Sequence, residues 1–282
     1  GKRIFNIFCN KLNLISVPID LEYGLDNFMQ CRIRKSSNLI KAHLGRSDSD
    51  WPENFFQLFQ KSQLCTKMEK RFTEAKASQT LACFNHSILL KFGPYLRSIE
   101  KNFRAQLPEN IYIHSMRNFK DLDRFVKKFF SSNEGTESDY TAFDSSQDEL
   151  VLAFEVEFLR FFQMPEDLIF DYINLKLNMR CFIGNMSIMR FTGEFGTFFF
   201  NSIVNMAYTF LFYKINSSNV LMFAGDDLCA LGYLKEECKY NSLLKHMKLK
   251  AKVEKKIYPS FCGWIISKHG IVKNPTLVYE RF

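Results

Sequence analysis

The sequence predicts an α+β fold with an antiparallel sheet. Two apolar runs, Val220–Ala224 and Leu228–Leu231, flank Gly225-Asp226-Asp227, which is the pattern of a β-hairpin with carboxylates at its tip. Residues 118–130 place their apolar side chains on one helical face. Helical and hairpin patterns are interleaved without regular βαβ alternation, which favours α+β over a doubly wound parallel sheet.

Length and composition indicate a folded, basic protein. The 282 residues suffice for one large domain or two packed subdomains. A hydrophobic content of 46% excludes a disordered chain, and the 31 phenylalanines predict an aromatic core. The net charge of +8 favours a polyanionic partner, either nucleic acid or an anionic membrane surface. The sequence starts at Gly1 without a signal-peptide pattern, so we expect a piece of a longer protein.

The cysteines and histidines are not arranged for zinc. The eight cysteines include no CxxC pair, and the five histidines form no HExxH pattern. Scattered cysteines in a chain of this size indicate a reducing, cytosolic environment.

The first half of the chain predicts helices and one strand. Pro94 suits the first position of a helix over 94–106. The amphipathic helix 118–130 follows, and then the polar loop SSNEGTES leads into a short strand at Asp139–Phe143. Aromatic and aliphatic periodicity predicts a long helix over 147–163.

The second half predicts hairpins and a basic helix. A turn at Gly184–Asn185 joins LNMRCFI to MSIMRF. A Lys-rich helix is predicted over 235–249, after the Gly-Asp-Asp hairpin. The segments FCGWIIS and IVKNPTLVY are strand-like on either side of a turn at Lys268–Gly270.

Residues 195–213 carry no charge and have about the length of a membrane span. One helical face nevertheless repeats a polar side chain every four residues, at Thr197, Asn201, Asn205 and Thr209. Amides in hydrocarbon are costly, so we predict a buried helix, starting near Gly196, whose polar stripe faces a working cleft. A membrane-embedded scaffold is the alternative.

Two groups of carboxylates are candidates for metal chemistry. Asp139 in a strand and Asp144 at its end can direct one carboxylate to a metal and another to a substrate. Asp226 and Asp227 are adjacent at a tight turn, where their charges repel unless a cation neutralises them. Rigid apolar strands on both sides of the turn favour a Mg²⁺ site there over a solvated loop.

Two further segments suit contacts with phosphates. The turn Thr192-Gly193-Glu194-Phe195-Gly196 enters a helix and combines flexible backbone with exposed amides, which suits a phosphate or a template strand. Thr197 and Asn201 lie one turn apart on that helix. A basic segment contains Lys61, Lys67, Arg71 and Lys76. It is either a solvated face or a means of neutralising a triphosphate.

Several segments together resemble a known family. DYTAFDSSQDE, TGEFGTFFFNSIVN and FAGDDLCAL are similar to polymerase motifs A, B and C, and they occur in that order. KSQ with AKASQTLACF resembles motif F, and LKAKVEK and FCGWIIS resemble motifs D and E. The combination resembles the RNA-dependent RNA polymerase domain of alphavirus-like replicases, above all those of plant flexuous viruses (betaflexivirus-like, Tymovirales). The resemblance covers about residues 43–282.

The resemblance implies a role for each matching residue. Asp139 and Asp226 are expected to bind Mg²⁺, or Mn²⁺ in its place, with help from Asp227. Asp144 and Asn201 are expected to recognise the ribose 2′-hydroxyl, with Thr197 beside them. Lys252 or Lys250 is the expected acid for the leaving pyrophosphate. Thr192 and Gly193 are expected at the template backbone, and Lys61, Lys67, Arg71 and Lys76 along the triphosphate path. Thr192 stands where many relatives have Ser, and Ser78 where they often have Gly.

The resemblance also implies a right-hand fold with the thumb largely absent. Residues 1–110 are expected to be mainly fingers, with motif F at 61–80. Residues 111–282 are the expected palm, and a fingers segment at about 165–191 interrupts it. The palm motifs are A (139–144), B (192–205), C (223–229), D (243–256) and E (261–267).

The implied activity is template-directed synthesis of viral RNA. The expected partners are template and product RNA and ribonucleoside triphosphates. Upstream methyltransferase and helicase domains of one polyprotein are also expected, at membrane-associated replication complexes in the host cytoplasm. No transmembrane segment is expected. A reverse transcriptase and a non-catalytic RNA-binding module derived from a polymerase remain as alternatives.

Overall fold

The computed structural model describes residues 1–33, 52–60 and 80–279. Its helices are α1 (Lys2–Leu12), α2 (Leu21–Ile33), α3 (His86–Ala105), α4 (Phe119–Phe129), α5 (Glu149–Phe161), α6 (Glu166–Asn178), α7 (Thr197–Phe212), α8 (Asn241–Leu244) and α9 (Pro275–Tyr279). Its strands are β1 (Gln57–Gln60), β2 (Thr80–Cys83), β3 (Ile111–Ile113), β4 (Glu134–Tyr140), β5 (Arg180–Cys181), β6 (Gly184–Asn185), β7 (Leu221–Ala224), β8 (Asp227–Leu231), β9 (Ala251–Ile257), β10 (Ser260–Phe261), β11 (Trp264–Ser267) and β12 (Gly270–Lys273). The described chain is therefore α+β, as predicted.

The first of two compact units comprises residues 1–59, 81–106 and 144–197, and it is mainly helical. Phenylalanine rings from α1, α3 and α5 form its core. The ring centroid of Phe8 lies 5.9 Å from that of Phe103 and 5.4 Å from that of Phe154. All three side chains are buried, which confirms that these phenylalanines form a core.

Helix α3 starts earlier than predicted. Asn85 caps its N-terminus by accepting a hydrogen bond from the Ser87 amide at 2.9 Å, so Pro94 lies inside the helix instead of beginning it. Helix α2 packs against this region, where Gly24 approaches the Pro94 carbonyl so closely that a Cβ would lie 2.2 Å from its oxygen. We attribute the tolerance of an interior proline to this packing, which outweighs the missing N–H.

The second unit comprises residues 60–80, 107–143 and 198–282, and it is built on a five-stranded sheet. The strand order is β3-β7-β8-β4-β9. The prediction of an antiparallel sheet was wrong for one pair, because β3 runs parallel to β7, and the other pairs are antiparallel. The sheet is therefore mixed, and its parallel pair lies at one edge.

Different elements cover the two faces of this sheet. On one face, Met222 and Cys229 form a buried cluster with Phe125 of α4 and Phe261 of β10. On the opposite face lies α7, whose Asn205 contacts the Tyr140 hydroxyl of β4. Because successive strand residues point to opposite faces, Asp139 belongs to the first face and Tyr140 to the second.

Three sequence predictions need correction around this sheet. The strand predicted at Asp139–Phe143 is β4, which starts at Glu134 because it pairs with β8 and β9 from there, and it ends before Ala142, whose φ is +54°. Within residues 235–249 only α8 is helical, and the basic segment after it forms edge strand β9. The end of IVKNPTLVY is helix α9, which begins at Pro275.

The other predicted elements are present with shifted ends. The helices predicted over 118–130 and 147–163 are α4 and α5. The hairpin β5–β6 has its turn at residues 182–183, so Gly184 and Asn185 belong to its second strand. Within the described ranges, none of the helices combines the length and apolar character needed to span a bilayer.

Candidate active site

Asp139 and Asp227 lie side by side on neighbouring strands. In the antiparallel ladder between β4 and β8, Ser138 pairs with Leu228, so one further step places Asp139 beside Asp227. Neighbouring strands are about 4.8 Å apart, and residues at the same level point to the same face. The register of the sheet therefore brings together two carboxylates that are far apart in the sequence.

Asp226 reaches the same end of the sheet through a tight turn. Ala224 pairs with Asp227, which leaves Gly225 and Asp226 as a two-residue loop. Gly225 has φ +64°, the left-handed value that a type II′ turn requires at its first central position. This confirms the predicted hairpin with aspartates at its tip and explains why glycine precedes them.

Helix α7 holds this turn from the opposite face of the sheet. The Gly225 amide donates to Ser202 Oγ at 2.9 Å. The side-chain amide of Asn205 donates to the carbonyl oxygens of Gly225 at 3.1 Å and Asp226 at 2.8 Å. The Tyr140 hydroxyl donates to Asn205 Oδ1 at 3.0 Å, which fixes the orientation of that amide. Ser202 and Asn205 are fully buried, so these bonds fix the backbone that carries Asp226.

The carboxylates repel one another. The pKa of Asp227 is raised to about 6, first because surrounding protein removes part of its hydration, and then because of the charges of Asp226, Asp139 and Glu137. Asp227 remains exposed to solvent despite this loss of hydration. Burial, and then the charges of Glu137 and Asp227, raise the pKa of the neighbouring Cys229 thiol well above its usual value. The site therefore has an excess of negative charge.

Basic side chains lie next to these carboxylates. Lys252 of β9 is the cross-strand partner of Asp139, so both side chains point to one face. Two residues before Asp139, Glu137 forms an ion pair with Lys256 at 3.1 Å and accepts a hydrogen bond from the Ser260 amide. Glu137 therefore ties β4 to the start of β10.

The site offers the carboxylate oxygens that a divalent cation prefers, but these oxygens are not grouped as a metal site. Among the described residues, no three His, Cys, Asp or Glu side chains are grouped so that they could hold a metal ion. Asp139 Oδ1 instead accepts the Tyr140 amide at 2.7 Å. The mutual repulsion expressed in the pKa of Asp227 is, however, the condition that a hard cation with oxygen ligands relieves.

Comparison with known proteins identifies the family. The family model described as RNA dependent RNA polymerase matches residues 2–280. The chain belongs to this family. This confirms the resemblance drawn from the motifs, and it leaves the reverse transcriptase alternative without support.

Relatives come from plant viruses. The RNA replication protein of grapevine virus A is 48% identical over 284 residues, which is 100% of this chain and 17% of that protein. The RNA-directed RNA polymerase of apple chlorotic leaf spot virus is 50% identical over 288 residues, 100% of this chain and 15% of that protein. The RNA replication protein of potato virus S is 46% identical over 255 residues, 90% of this chain and 72% of that protein. The chain thus spans less than a fifth of the first two.

Three residues with roles predicted from the resemblance, Thr192, Gly193 and Thr197, lie in or next to the loop before α7. Thr192 Oγ1 accepts the Ala82 amide at 3.2 Å, and a Cβ on Gly193 would lie 1.8 Å from the Ala82 carbonyl oxygen. The Thr197 hydroxyl lies 2.7 Å from two carbonyl oxygens of the loop before α7. These three residues therefore shape that loop, and their contacts with RNA or nucleotide stay predictions.

The two residues predicted for ribose recognition belong to different compact units. Asp144 begins a short 3₁₀ helix, and its carbonyl accepts the Arg190 amide at 3.0 Å. Asn201 lies in α7 and is 7% exposed. Lys61, Lys67, Arg71 and Lys76, predicted along the triphosphate path, lie outside the described residues.

Sequence reasoning missed the residues that support the turn. It placed Asn205 and Thr209 on a polar stripe facing a cleft, but both are fully buried. The four-residue spacing was the available signal, and it located Asn205 without its role. The motifs A and B contain Tyr140 and Ser202 but gave them no role, and no pattern pointed to Glu137, because the partners of these residues are set by strand register and helix packing.

We predict that Asp227→Asn stabilises the metal-free protein above pH 6. The folded-state pKa of about 6 exceeds the usual value of 3.8, so the folded protein holds an extra proton between these values, and its stability falls as pH rises through that window. The variant lacks this effect. Its melting temperature in EDTA should exceed that of the parent at pH 7–8, and the difference should vanish below about pH 4.

Asp26→Asn, which removes an exposed carboxylate on α2, is the control and should leave the pH profile unchanged. Added Mg²⁺ should raise the melting temperature of the parent more than that of Asp227→Asn. Identical pH profiles for parent and Asp227→Asn would contradict the repulsion described above.

We predict that Asn205 and Tyr140 act as one unit. Asn205→Ala leaves the carbonyls of Gly225 and Asp226 without their donor and should lower the free energy of unfolding by roughly 2–4 kcal/mol. Tyr140→Phe should cost about 1–2 kcal/mol, because Asn205 Oδ1 loses its donor. Urea denaturation of both variants and of the double variant should give a coupling energy above about 0.5 kcal/mol. Strict additivity would show that the two side chains act separately.

Proposed function

We propose that this chain performs template-directed RNA synthesis for viral genome replication and transcription, adding ribonucleotides to the 3′ end of a growing strand. The observation that carries the proposal is the convergence of Asp139, Asp226 and Asp227 at one end of the mixed sheet. Membership of the RNA-dependent RNA polymerase family supports it, as does the name RNA-directed RNA polymerase that the relative from apple chlorotic leaf spot virus carries.

The three aspartates would hold Mg²⁺, or Mn²⁺ in its place. Bound there, the ions would supply positive charge to the attacking hydroxyl and to the leaving oxygens. The protein fixes two of the carboxylates through strand register and the third through the turn held by Ser202 and Asn205. Such preorganised placement is the main contribution of a polymerase to phosphoryl transfer.

The proposed reaction forms one P–O bond and breaks another. The 3′-hydroxyl of the growing strand gives up its proton to water, and its oxygen attacks the α-phosphorus of a ribonucleoside triphosphate as the bond to the pyrophosphate oxygen breaks. Lys252 is proposed to donate a proton to the departing pyrophosphate, and its exposure and its position opposite Asp139 support this proposal. Lys250, which precedes β9, is the alternative donor.

Selection of ribonucleotides is assigned to Asp144 and Asn201. A carboxylate can accept and an amide can donate a hydrogen bond to a ribose 2′-hydroxyl, the group that distinguishes RNA from DNA precursors. Thr192 and Gly193 are proposed to contact the template backbone, and Thr197 the nucleotide.

We also propose that the mixed sheet is the palm of a right-hand polymerase, and that the helical first unit contributes much of the fingers. In the longer replication protein, methyltransferase and helicase domains are proposed upstream, at membrane-associated complexes in the host cytoplasm. The relatives' names support only the general statement, because several describe RNA replication polyproteins.

We predict that Asp226→Asn abolishes nucleotide incorporation and leaves RNA binding near normal. The change keeps the shape of the side chain and removes one ligand charge, so incorporation should fall at least a hundredfold. Primer extension with labelled ribonucleotides and Mg²⁺, in the full replication protein, measures the first quantity, and filter binding of RNA the second. Asp26→Asn is the matched control. Undiminished elongation by Asp226→Asn would refute the metal role, and an inactive parent would favour a non-catalytic RNA-binding module.

We predict that Asn201→Ala weakens discrimination against deoxynucleotides. Loss of one hydrogen bond to the 2′-hydroxyl should lower the ratio of kcat/KM values for ribonucleotide over deoxynucleotide by roughly tenfold. Competition between a labelled ribonucleotide and its deoxy analogue measures this ratio. An unchanged ratio in an active variant would remove Asn201 from ribose recognition.

A further inference from the structure

Four charged side chains are buried together next to the loop that precedes α7. They are Glu155 of α5, Lys176 of α6, and Arg190 and Glu194 of the loop. Each side chain is at most 1% exposed. The group contains two acidic and two basic side chains, so their formal charges balance.

Glu194 is the centre of this charge network. Its two oxygens accept hydrogen bonds from Lys176 Nζ at 3.1 and 3.0 Å. Arg190 Nη1 donates to Glu194 Oε1 at 2.9 Å, and the Phe191 amide donates to Oε2 at 3.3 Å. One carboxylate thus binds helix α6 and two points of its own loop.

The other members attach the loop to both helices. Arg190 Nη2 donates to Glu155, which also accepts the Tyr172 hydroxyl at 2.6 Å. Lys176 Nζ donates to the Met189 carbonyl at 2.6 Å. Since each of its three protons has an acceptor, the lysine is fully used in holding residues 189–194.

The held loop contains the residues proposed for the template. Thr192 and Gly193 lie between the two charged loop residues and contact the backbone of Ala82 on their other side. The Thr197 hydroxyl, at the first turn of α7, lies against the carbonyls of Phe191 and Glu194. The loop is therefore held both by hydrogen bonds of the charge network and by contacts with strand β2.

A buried ion network of this kind gives little net stability. Removing charges from water is costly, and apolar groups of the same shape often serve stability equally well. Directional, charge-assisted hydrogen bonds instead favour one arrangement of the groups that they join. Burying these charges therefore has a desolvation cost, and it is incurred next to a loop whose proposed task needs a fixed backbone.

We propose that Glu194, through Lys176 and Arg190, is a positioning residue that fixes the loop 189–196 for binding of the RNA template. The inference rests on the proposed polymerase function for its purpose, but the fixing of the loop is a property of the free protein. Glu194 does not touch RNA in this assignment; it acts through the backbone of Thr192 and Gly193.

The test is the charge-neutral double variant Lys176→Met/Glu194→Gln, which keeps side-chain volume and the Arg190–Glu155 pair. In the full replication protein, amide hydrogen exchange of residues 189–197 should become about tenfold faster, while exchange in α5 stays near normal. KM for template RNA should rise by roughly tenfold and kcat should change less than about threefold. Melting temperature should remain within a few degrees of the parent.

Asp171→Asn is the matched control, because it removes an ion pair between α6 and Lys91 of α3 that includes no residue of the loop. It should leave loop exchange and KM for RNA unchanged. If the double variant fails to fold, Glu194→Asp serves in its place, since the shorter carboxylate keeps the charge but cannot reach both Lys176 and Arg190.

Unchanged loop exchange in a folded variant would overturn the positioning role, whatever the activity. Faster loop exchange with unchanged KM for RNA would also overturn it, since the network would then be purely structural. If the parent showed no polymerase activity, the exchange measurement would still decide whether the network fixes the loop, and the failure would fall on the proposed function alone.

Discussion

The arrangement of the candidate site depends on the hydrogen bonds between α7 and the Gly225-Asp226 turn. A two-residue turn at the end of two strands exposes its backbone groups, and carboxylates placed on it repel each other. Ser202 and Asn205 satisfy the amide of Gly225 and two carbonyls of the turn from inside the core. Because these groups are buried, any other position of the turn would leave them without partners. The site is thus anchored from the side of the sheet that does not carry the carboxylates.

Much of this site could be predicted from the sequence. The Gly-Asp-Asp turn between apolar runs is a local pattern, and local patterns determine hairpins. The order of the motifs then identified the family, which the family model confirms. Helix α4 was predictable for the same reason, since its amphipathic pattern and its Asn118 cap lie within one short segment.

The remaining features depend on contacts between distant segments. The parallel pairing of β3 with β7 has no signature in three residues of strand. Residues 235–249 were predicted to form a Lys-rich helix, yet only α8 is helical among them. The basic residues that follow form β9 and pair along β4, because edge strands carry charge at little cost. The partners of Glu194 come from α6 and from its own loop, so the sequence showed only a glutamate between two glycines.

The sheet also determines how the thiols near the site behave. Burial, and then the charges of the neighbouring Glu137 and Asp227, raise the pKa of the Cys229 thiol and keep it protonated. The thiolate is the species that reacts with electrophiles and oxidants. A reagent directed at cysteine would therefore spare this position and meet the exposed Cys83 and Cys238 first. Burial and the negative charge at this end of the mixed sheet thus also protect its interior thiol from covalent modification.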